Sequence, residues 1–407
     1  MTIHPLQPIS LNSKTLSFKA LPPLSLYIHI PWCVRKCPYC DFNSHEVKSA
    51  SGMAAGRSLP EQEYVAALVR DLELALPQIW GRKVYTVFFG GGTPSLLSGE
   101  AIAEILRNVR MLLPLDLNAE ITLEANPGTV EAGKFAAFRE AGVNRLSMGI
   151  QSFNDTHLQA LGRIHSADEA RRAIEIARQH FDNFNLDLMY ALPGQTLEQA
   201  LQDVQNALSY EPDHLSCYHL TLEPNTLFYR NPPALPDDDA SSEMQVRIEA
   251  LLAEQGYEHY ETSAFARPGR QAKHNLNYWK FGDYLGIGAG AHSKLSFPDK
   301  VVREVRYKQP QAYLQQVAKD DPVQTRHDVP HDELAFEFML NALRLNQGFD
   351  ATLYNERTSL ALLGIQRELN EAQSRGLLFR DHQRIAPTVL GQRYLNDLLE
   401  IFLNDKQ

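Results

Sequence analysis

An α/β fold is predicted, an open three-quarter (β/α)6 barrel followed by a C-terminal helical, winged-helix-like domain, and three features of the sequence predict it. Short apolar, β-branched or aromatic runs alternate with helical-period stretches from about residue 24 to 255, the rhythm of repeated β/α units. Six such units curve toward a barrel but stop two short of the eight that close one. Past residue 300 the pattern turns mainly helical.

The segment 1–23 reads as an N-terminal extension. Its start, MTIHPLQPISLNSK, lacks the basic stretch and apolar core of a secretory leader, and no part of the chain reaches 18 uninterrupted apolar residues. A cytoplasmic, non-membrane protein is expected. The barrel core is assigned to 24–260, with strands at LSLYIHI (24–30), VYTVFF (84–89), EITLEA (120–125), RLSMGI (145–150), FNLDLMY (184–190) and HLSCYHL (214–220). Between them, apolar residues at three-and-four spacing mark helices, as in Ile102, Ile105, Leu106, Val109 and Leu112, or Leu201, Val204 and Leu208. Ser166 with Glu169, and Thr196 with Gln199, fit capping boxes that start two of them. A further helix-like stretch, 244–254, follows the sixth strand. DFNSHEVKSASGMAAGRSLP and RNPPALPDDDASS break the periodicity and read as rim loops. Residues 261–300 form a connector, and 301–407 the C-terminal domain, where GLLFRDHQRIAPTV suggests a two-stranded wing before an amphipathic helix through Leu395, Leu398, Leu399 and Phe402.

With 407 residues, 44% of them hydrophobic and 22% charged, the chain can build two or three cores, which excludes a disordered, collagen-like or disulfide-scaffold chain. A net charge of −10 opposes a phosphate backbone, so nucleic acid is not an expected partner and the wing pattern points to substrate or partner binding. Four cysteines are too few for a disulfide framework, yet Cys33, Cys37 and Cys40 crowd into eight positions. In a reducing compartment that clustering signals metal chemistry.

The spacing Cys33-x3-Cys37-x2-Cys40 follows the first strand directly, where β/α barrels place functional residues. Three thiolates can hold three corners of a [4Fe-4S] cube and leave the fourth iron open to another ligand. A zinc site would want four N/S ligands; no second cysteine pair exists, although a histidine could complete it. Gly90, Gly91, Gly92 and Thr93 end the second strand, where missing Cβ atoms let backbone approach a ligand; alone, such a run is often only a tight turn. Cys217, isolated in the sixth strand, reads as a packed core thiol. Asp237, Asp238 and Asp239 read as solvated loop charges.

YIHIPWCVRKCPYCDF followed by FFGGGTPS resembles the radical S-adenosylmethionine (SAM) superfamily, specifically the oxygen-independent coproporphyrinogen III oxidase group and its HemW-type heme-chaperone branch, over about residues 24–295. The resemblance implies a barrel of the radical SAM type, in which SAM chelates the open iron and a reduced cluster can cleave it to a 5′-deoxyadenosyl radical. It also implies SAM contacts at Gly91, Gly92 and Thr93, at Glu124 and Gln151 on the third and fourth strand ends, at Arg163, at Asp187 in NLDLMYALPGQT, and at Tyr27. Thr221 and His292 align with two further contacts, but their residue types differ from the oxidase's.

One departure separates the branches. The oxidases resembled carry Cys-x-Cys at the third cysteine, whereas Cys40-Asp41-Phe42 puts phenylalanine there, as the heme-chaperone branch does. His274-Asn275-Leu276-Asn277-Tyr278-Trp279 matches the HNxxYW pattern that the resemblance associates with heme, so His274, Asn275, Tyr278 and Trp279 are candidate heme residues. The same hexapeptide could equally be a loop whose histidine caps a helix and whose aromatics fill a domain junction, and His29 and His292 compete as ligands.

The resemblance thus implies a heme chaperone that hands heme to heme-requiring proteins, respiratory membrane complexes among them, and it leaves room for a homodimer. The rival readings are an oxygen-independent coproporphyrinogen III oxidase performing radical decarboxylation of propionates, and a zinc-stabilised binding module.

Overall fold

The structure is a computed structural model that describes residues 16–47, 59–129 and 132–403. Most of the extension 1–23 and the middle of the loop after the first strand lie outside the described residues.

Six parallel strands form where the apolar runs predict them: β1 Leu24–Ile30, β2 Val84–Gly91, β3 Leu115–Ala125, β4 Arg145–Gln151, β5 Phe184–Tyr190 and β6 His214–His219. They lie side by side in chain order, each in parallel register with the next. β3 begins five residues before its expected start, because Leu115 pairs with Val84 while the polar stretch between disguises the strand. Helices Glu61–Ala75, Gly99–Leu112, Ala132–Ala141, Ala167–His180, Leu197–Leu208 and Asp238–Glu254 follow the six strands in turn. Strands covered by helices bury both faces, so Leu24, Leu26, Ile28 and Ile30 are all buried, with Ser25 between them. Both capping boxes form, Ser166 with Glu169 and Thr196 with Gln199. The acidic run is not loop: Asp237 accepts from the Ala240 amide, and Asp238 and Asp239 occupy the first helical turn, where the helix dipole favours negative charge.

The sheet continues beyond these six. β7 Glu258–Glu261 and β8 Ala264–Ala266 extend the β6 edge antiparallel, while β9 Asp283–Ile287 joins the other side of β1 in parallel. β10 His292–Phe297, β11 Lys300–Arg306 and β12 Val323–Asp328 follow it antiparallel. The result is one open twelve-stranded sheet in the order β12-β11-β10-β9-β1-β2-β3-β4-β5-β6-β8-β7. Residues 261–300 therefore supply sheet strands, and residue 301 falls inside β11. The small residues of GIGAGAH mask this in the sequence, yet they are required by close packing: a Cβ on Gly286 would lie 2.1 Å from the His292 carbonyl oxygen.

Buried charge pins the added strands. Asp283, at the start of β9, takes Lys294 Nζ at 2.9 Å, Arg82 Nη2 at 2.8 Å and both the amide and hydroxyl of Ser296 at 2.8 Å. Burial pushes its carboxyl up, but Lys294 and Arg82 outweigh that and hold it below the usual carboxylate range. Arg306 of β11 pairs with Asp71 of the first helix at 3.1 Å and with Glu304 at 2.8 Å, all buried.

Helix Lys273–Trp279 packs against β1, β2 and β9. The Glu120 carboxylate accepts the backbone amides of Lys273 (3.1 Å) and His274 (3.0 Å), the charge a helix N-terminus favours. The last part of the chain builds a second core around Phe338, Leu369 and Leu398, which Phe281 and Val301 join. Its helices include Leu334–Ala342, Ala351–Thr358 and Gln366–Ser374. The expected wing is an antiparallel hairpin, Leu378–Arg380 with Arg384–Pro387, and a third short strand, Phe349–Asp350, pairs beside it. Among the described residues no helix is long and apolar enough to cross a membrane.

Candidate functional site

The C-terminal ends of β1 to β4 converge on the cysteine loop. After β1 the chain runs through Trp32–Cys33, which pairs in parallel with His45–Glu46 and so closes the loop carrying Cys37 and Cys40. The Cys40 amide turns back to the Cys37 carbonyl at 3.2 Å. The Asn43 amide group locks the loop to the far strands, donating to the carbonyls of Ala289 (3.0 Å) and Lys308 (2.9 Å).

Each thiol meets a polar group: Thr93 Oγ1 donates to Cys33 Sγ at 3.5 Å, Arg163 Nη1 to Cys37 Sγ at 3.6 Å, and Ser44 Oγ lies 3.9 Å from Cys40 Sγ. All three thiols are partly accessible, whereas Cys217 is buried, which pushes its thiol up to about 12. Among the described residues no three His, Cys, Asp or Glu side chains converge to hold a single metal ion.

The glycine run of β2 lies directly against this loop. A Cβ on Gly92 would sit 2.5 Å from the Trp32 carbonyl oxygen, and one on Gly91, at φ +116°, 2.6 Å from the His29 ring. Glycine is thus demanded where β2 and the cysteine loop touch, with the Gly92 amide donating to Ile30 and the Thr93 amide to Trp32. Arg163 reaches in from beyond β4, its Nη2 donating to the Gly149 carbonyl at 2.7 Å, while its buried Nε has no protein partner. That orphaned donor, three partly accessible thiols and backbone exposed by missing side chains fit a bound cluster and a cofactor that carries a carboxylate. Gln151 ends β4 in the left-handed region, φ +67°, a strain that turns its side chain away from regular strand geometry. Asp187 on β5 accepts from Ser147 at 3.1 Å and Asn185 at 2.8 Å; burial raises its carboxyl and these hydrogen bonds offset part of the rise.

A cavity of about 330 Å3 opens beside the loop, lined among others by Tyr27, Gly91, Glu124, Tyr278 and His292. Five sequence-predicted residues therefore share one space. Burial, with Asp187 nearby, pushes the Glu124 carboxyl up to about 8. Because this folded carboxyl titrates above its unfolded value, Glu124 adds relative stability at low pH that is lost as pH rises from the ordinary carboxylate range through about 8. Glu124→Gln should flatten that part of a stability-versus-pH curve from denaturant unfolding, and an unchanged slope would contradict the assignment.

Other predicted residues stand elsewhere. Thr221 is exposed past the end of β6, its hydroxyl turned back to the His219 carbonyl at 3.4 Å. His274 is buried beneath the cavity: Nδ1 meets Thr86 Oγ1 at 2.7 Å, Nε2 meets the Tyr278 hydroxyl at 3.2 Å, and burial drops its pKa to about 3. Asn275 is not among the cavity-lining residues. Trp279 carries the Arg344 guanidinium over its ring at 4.3 Å, toward the C-terminal part. The hexapeptide is thus helical, with only Tyr278 at the cavity. Asn43, Tyr284 and Gly290 also line it, and sequence reasoning missed them. Gly290 carried a signal: a Cβ there would meet the Asn43 side chain at 2.2 Å.

Fold and site together define a class, partial β/α barrels with a three-cysteine loop after the first strand and a glycine-rich end to the second. The profile of the Radical SAM superfamily matches residues 27–207, and that of the HemN C-terminal domain residues 329–394. A relative named heme chaperone HemW from Escherichia coli is 48% identical over 94% of this chain and 99% of its own, and one of the same name from Bacillus subtilis is 34% identical over the same shares. The mitochondrial radical S-adenosyl methionine domain-containing protein 1 of Bos taurus is 36% identical over 94% of this chain and 88% of its own. Among solved structures, coproporphyrinogen III oxidase (HemN) of Escherichia coli superposes with a TM-score of 0.77 at 24% identity, covering 94% of this chain and 90% of that one, a likeness of fold. The chain belongs to the HemW family of the radical SAM superfamily.

Proposed function

We propose that this protein is a cytoplasmic heme chaperone, which binds heme and passes it to heme-requiring clients, respiratory membrane complexes among them. The observation that carries the reading is its near full-length likeness to relatives named heme chaperone HemW. Phe42 supports it: where the oxidase pattern has a further thiol, this chain presents a 63% exposed aromatic ring at the cavity.

In this reading Cys33, Cys37 and Cys40 hold a [4Fe-4S] cluster, while Tyr27, Gly91, Gly92, Thr93, Glu124, Gln151, Arg163 and Asp187 receive SAM. A reduced cluster with SAM supplies one-electron cleavage to a carbon radical. The chain's own residues bind and orient: the glycines offer backbone groups, Arg163 donates beside Cys37, and Glu124 and Asp187 accept from cofactor hydroxyl or amino groups. Thr221 lies outside this set, its hydroxyl satisfied locally. We also divide the chain into a barrel unit ending with β12 and a C-terminal unit after it, and we take a homodimer as compatible with both.

The test is anaerobic. Reconstituted protein receives reductant and SAM with either heme or coproporphyrinogen III, and heme absorbance, porphyrin products and 5′-deoxyadenosine are followed. Stoichiometric heme binding without decarboxylation is expected; repeated turnover of porphyrinogen with matching 5′-deoxyadenosine would make the protein an oxidase instead.

A further inference from the structure

Each cysteine of the loop meets a polar side chain, and two of these, Thr93 and Arg163, already fall to the SAM set. The third does not. Ser44 lies on the returning limb of the loop, only 6% exposed, with its Oγ 3.9 Å from Cys40 Sγ. The same hydroxyl faces Cys33: burial pushes that thiol up, and the hydroxyls of Thr93 and Ser44 lead the groups that oppose the rise. Burial decides what Ser44 can bond to, because a hydroxyl shut off from water is held by a protein partner. Among the described residues its hydroxyl finds no oxygen or nitrogen partner; what it finds is sulfur.

The limb that carries Ser44 is fixed on both sides. Asn43 is anchored to the carbonyls of Ala289 and Lys308, the His45 amide donates to the Pro31 carbonyl at 2.7 Å, and the Val47 amide donates to the Cys33 carbonyl at 3.0 Å. The Ser44 amide itself turns back to the Phe42 carbonyl at 2.7 Å. Of the four residues after Cys40, Asp41 and Phe42 are exposed and Ser44 is the buried one, so the turn aims one short hydroxyl at the thiols. Once the cysteines are thiolates on a cluster they have no proton to give, and Ser44 Oγ becomes the donor. A hydrogen bond to a charged acceptor is stronger than one between neutral groups, and it strengthens further as an added electron increases the charge on the sulfurs. Hydrogen bonds to the sulfurs are among the levers that set a cluster's reduction potential.

We propose that Ser44 is a positioning residue that acts through the sulfurs of Cys40 and Cys33, donating a hydrogen bond that favours the reduced cluster and so raises its potential. The step is a one-electron reduction: the electron comes from an external one-electron reductant, no bond breaks, and Ser44 keeps its proton. The inference rests on the cluster reading above and adds a residue that neither the cysteine spacing nor the SAM set includes.

The test uses the full chain, anaerobically reconstituted and without SAM, titrated with dithionite through redox mediators and read by electron paramagnetic resonance of the reduced cluster. Ser44→Ala should keep the native iron content. At the native midpoint, its ratio of reduced to oxidised cluster should fall about threefold, a shift of about 30 mV to more negative potential at 59 mV per tenfold. Ser44→Thr and Ser44→Val, which share a shape, separate the hydroxyl from packing: the threonine variant should titrate nearer the native potential and the valine variant with the alanine one. An unchanged midpoint in Ser44→Ala at full iron content, or equal midpoints for the threonine and valine variants, would overturn the inference while leaving the cluster in place. Should Ser44→Ala lose its iron, the threonine and valine pair decides in the same way. Failure of the native chain to take up iron would instead overturn the cluster reading, and this inference with it.

Discussion

Replacing Asp283 by alanine should cost about 3–5 kcal/mol of folding stability, the loss seen when one partner of a buried ion pair is removed. The reason is what stays behind. Lys294 is 1% exposed on its side chain and would keep its ammonium with only the carbonyls of Phe281 and Gly282 and the Phe281 ring as partners. Arg82 would retain only the Pro22 carbonyl as an acceptor, and the Ser296 amide would lose its acceptor. The measurement is urea unfolding of Asp283→Ala beside Lys294→Met and the double variant. The double variant should recover a large part of the loss, because an apolar side chain of similar length leaves no charge to desolvate. The pH dependence has a definite sign. With its folded pKa held below the unfolded value, Asp283 stabilises the fold above the ordinary carboxylate range, and that contribution disappears as acid carries the pH down through the depressed value. A loss below about 1 kcal/mol would mean that water reaches Lys294.

Changing Cys33, Cys37 and Cys40 together to alanine should leave a folded, colourless protein. Anaerobically reconstituted native chain is expected to carry about four irons and to absorb as an iron–sulfur protein; the triple variant should hold well under one. The fold should survive because these thiols sit on a loop fixed by Asn43 and by Trp32–Cys33, and their own contacts are weak, 3.5 to 3.9 Å to Thr93, Arg163 and Ser44. Cys217→Ala is the matched comparison, since that thiol is buried in the barrel core, and it should keep full iron content while losing some stability. Zinc instead of iron in the native chain, or iron undiminished in the triple variant, would contradict the cluster assignment.

The six parallel strands were legible because burial on both faces writes a strand as a dense apolar run, as in LSLYIHI and FNLDLMY. The cysteine loop and glycine run were legible for a different reason: both are residue types whose chemistry or missing Cβ has few other uses. Strands β9 to β12 were not legible. β9 is followed by GAGAH, a run of small residues demanded by close contacts with β1 and the cysteine loop, and KVVREVR hides its strand by placing Arg306 and Glu304 in buried ion pairs instead of on a wet face. The HNLNYW segment was ambiguous for a related reason. Its histidine and its two aromatics point to three different surroundings, a buried polar contact, the cavity and Arg344, and only packing tells them apart. Asn43 carried no sequence signal, because its role is to satisfy two carbonyls that lie more than 200 residues away.

The pairing of β1 with β9 has a consequence for the order of biogenesis. Leu24 lies against Asp283, so more than half of the chain must be made before the first strand gains its second neighbour. At ribosomal rates that interval is on the order of tens of seconds, during which an apolar strand next to three cysteines keeps one bare edge. Asn43 likewise waits for Ala289 and Lys308 before it can fix the cysteine loop. Assembly of the inorganic centre is thereby ordered after synthesis of the barrel, and a nascent chain stalled before residue 283 is a thiol-bearing, edge-exposed species that needs shelter from oxidation and from its own kind.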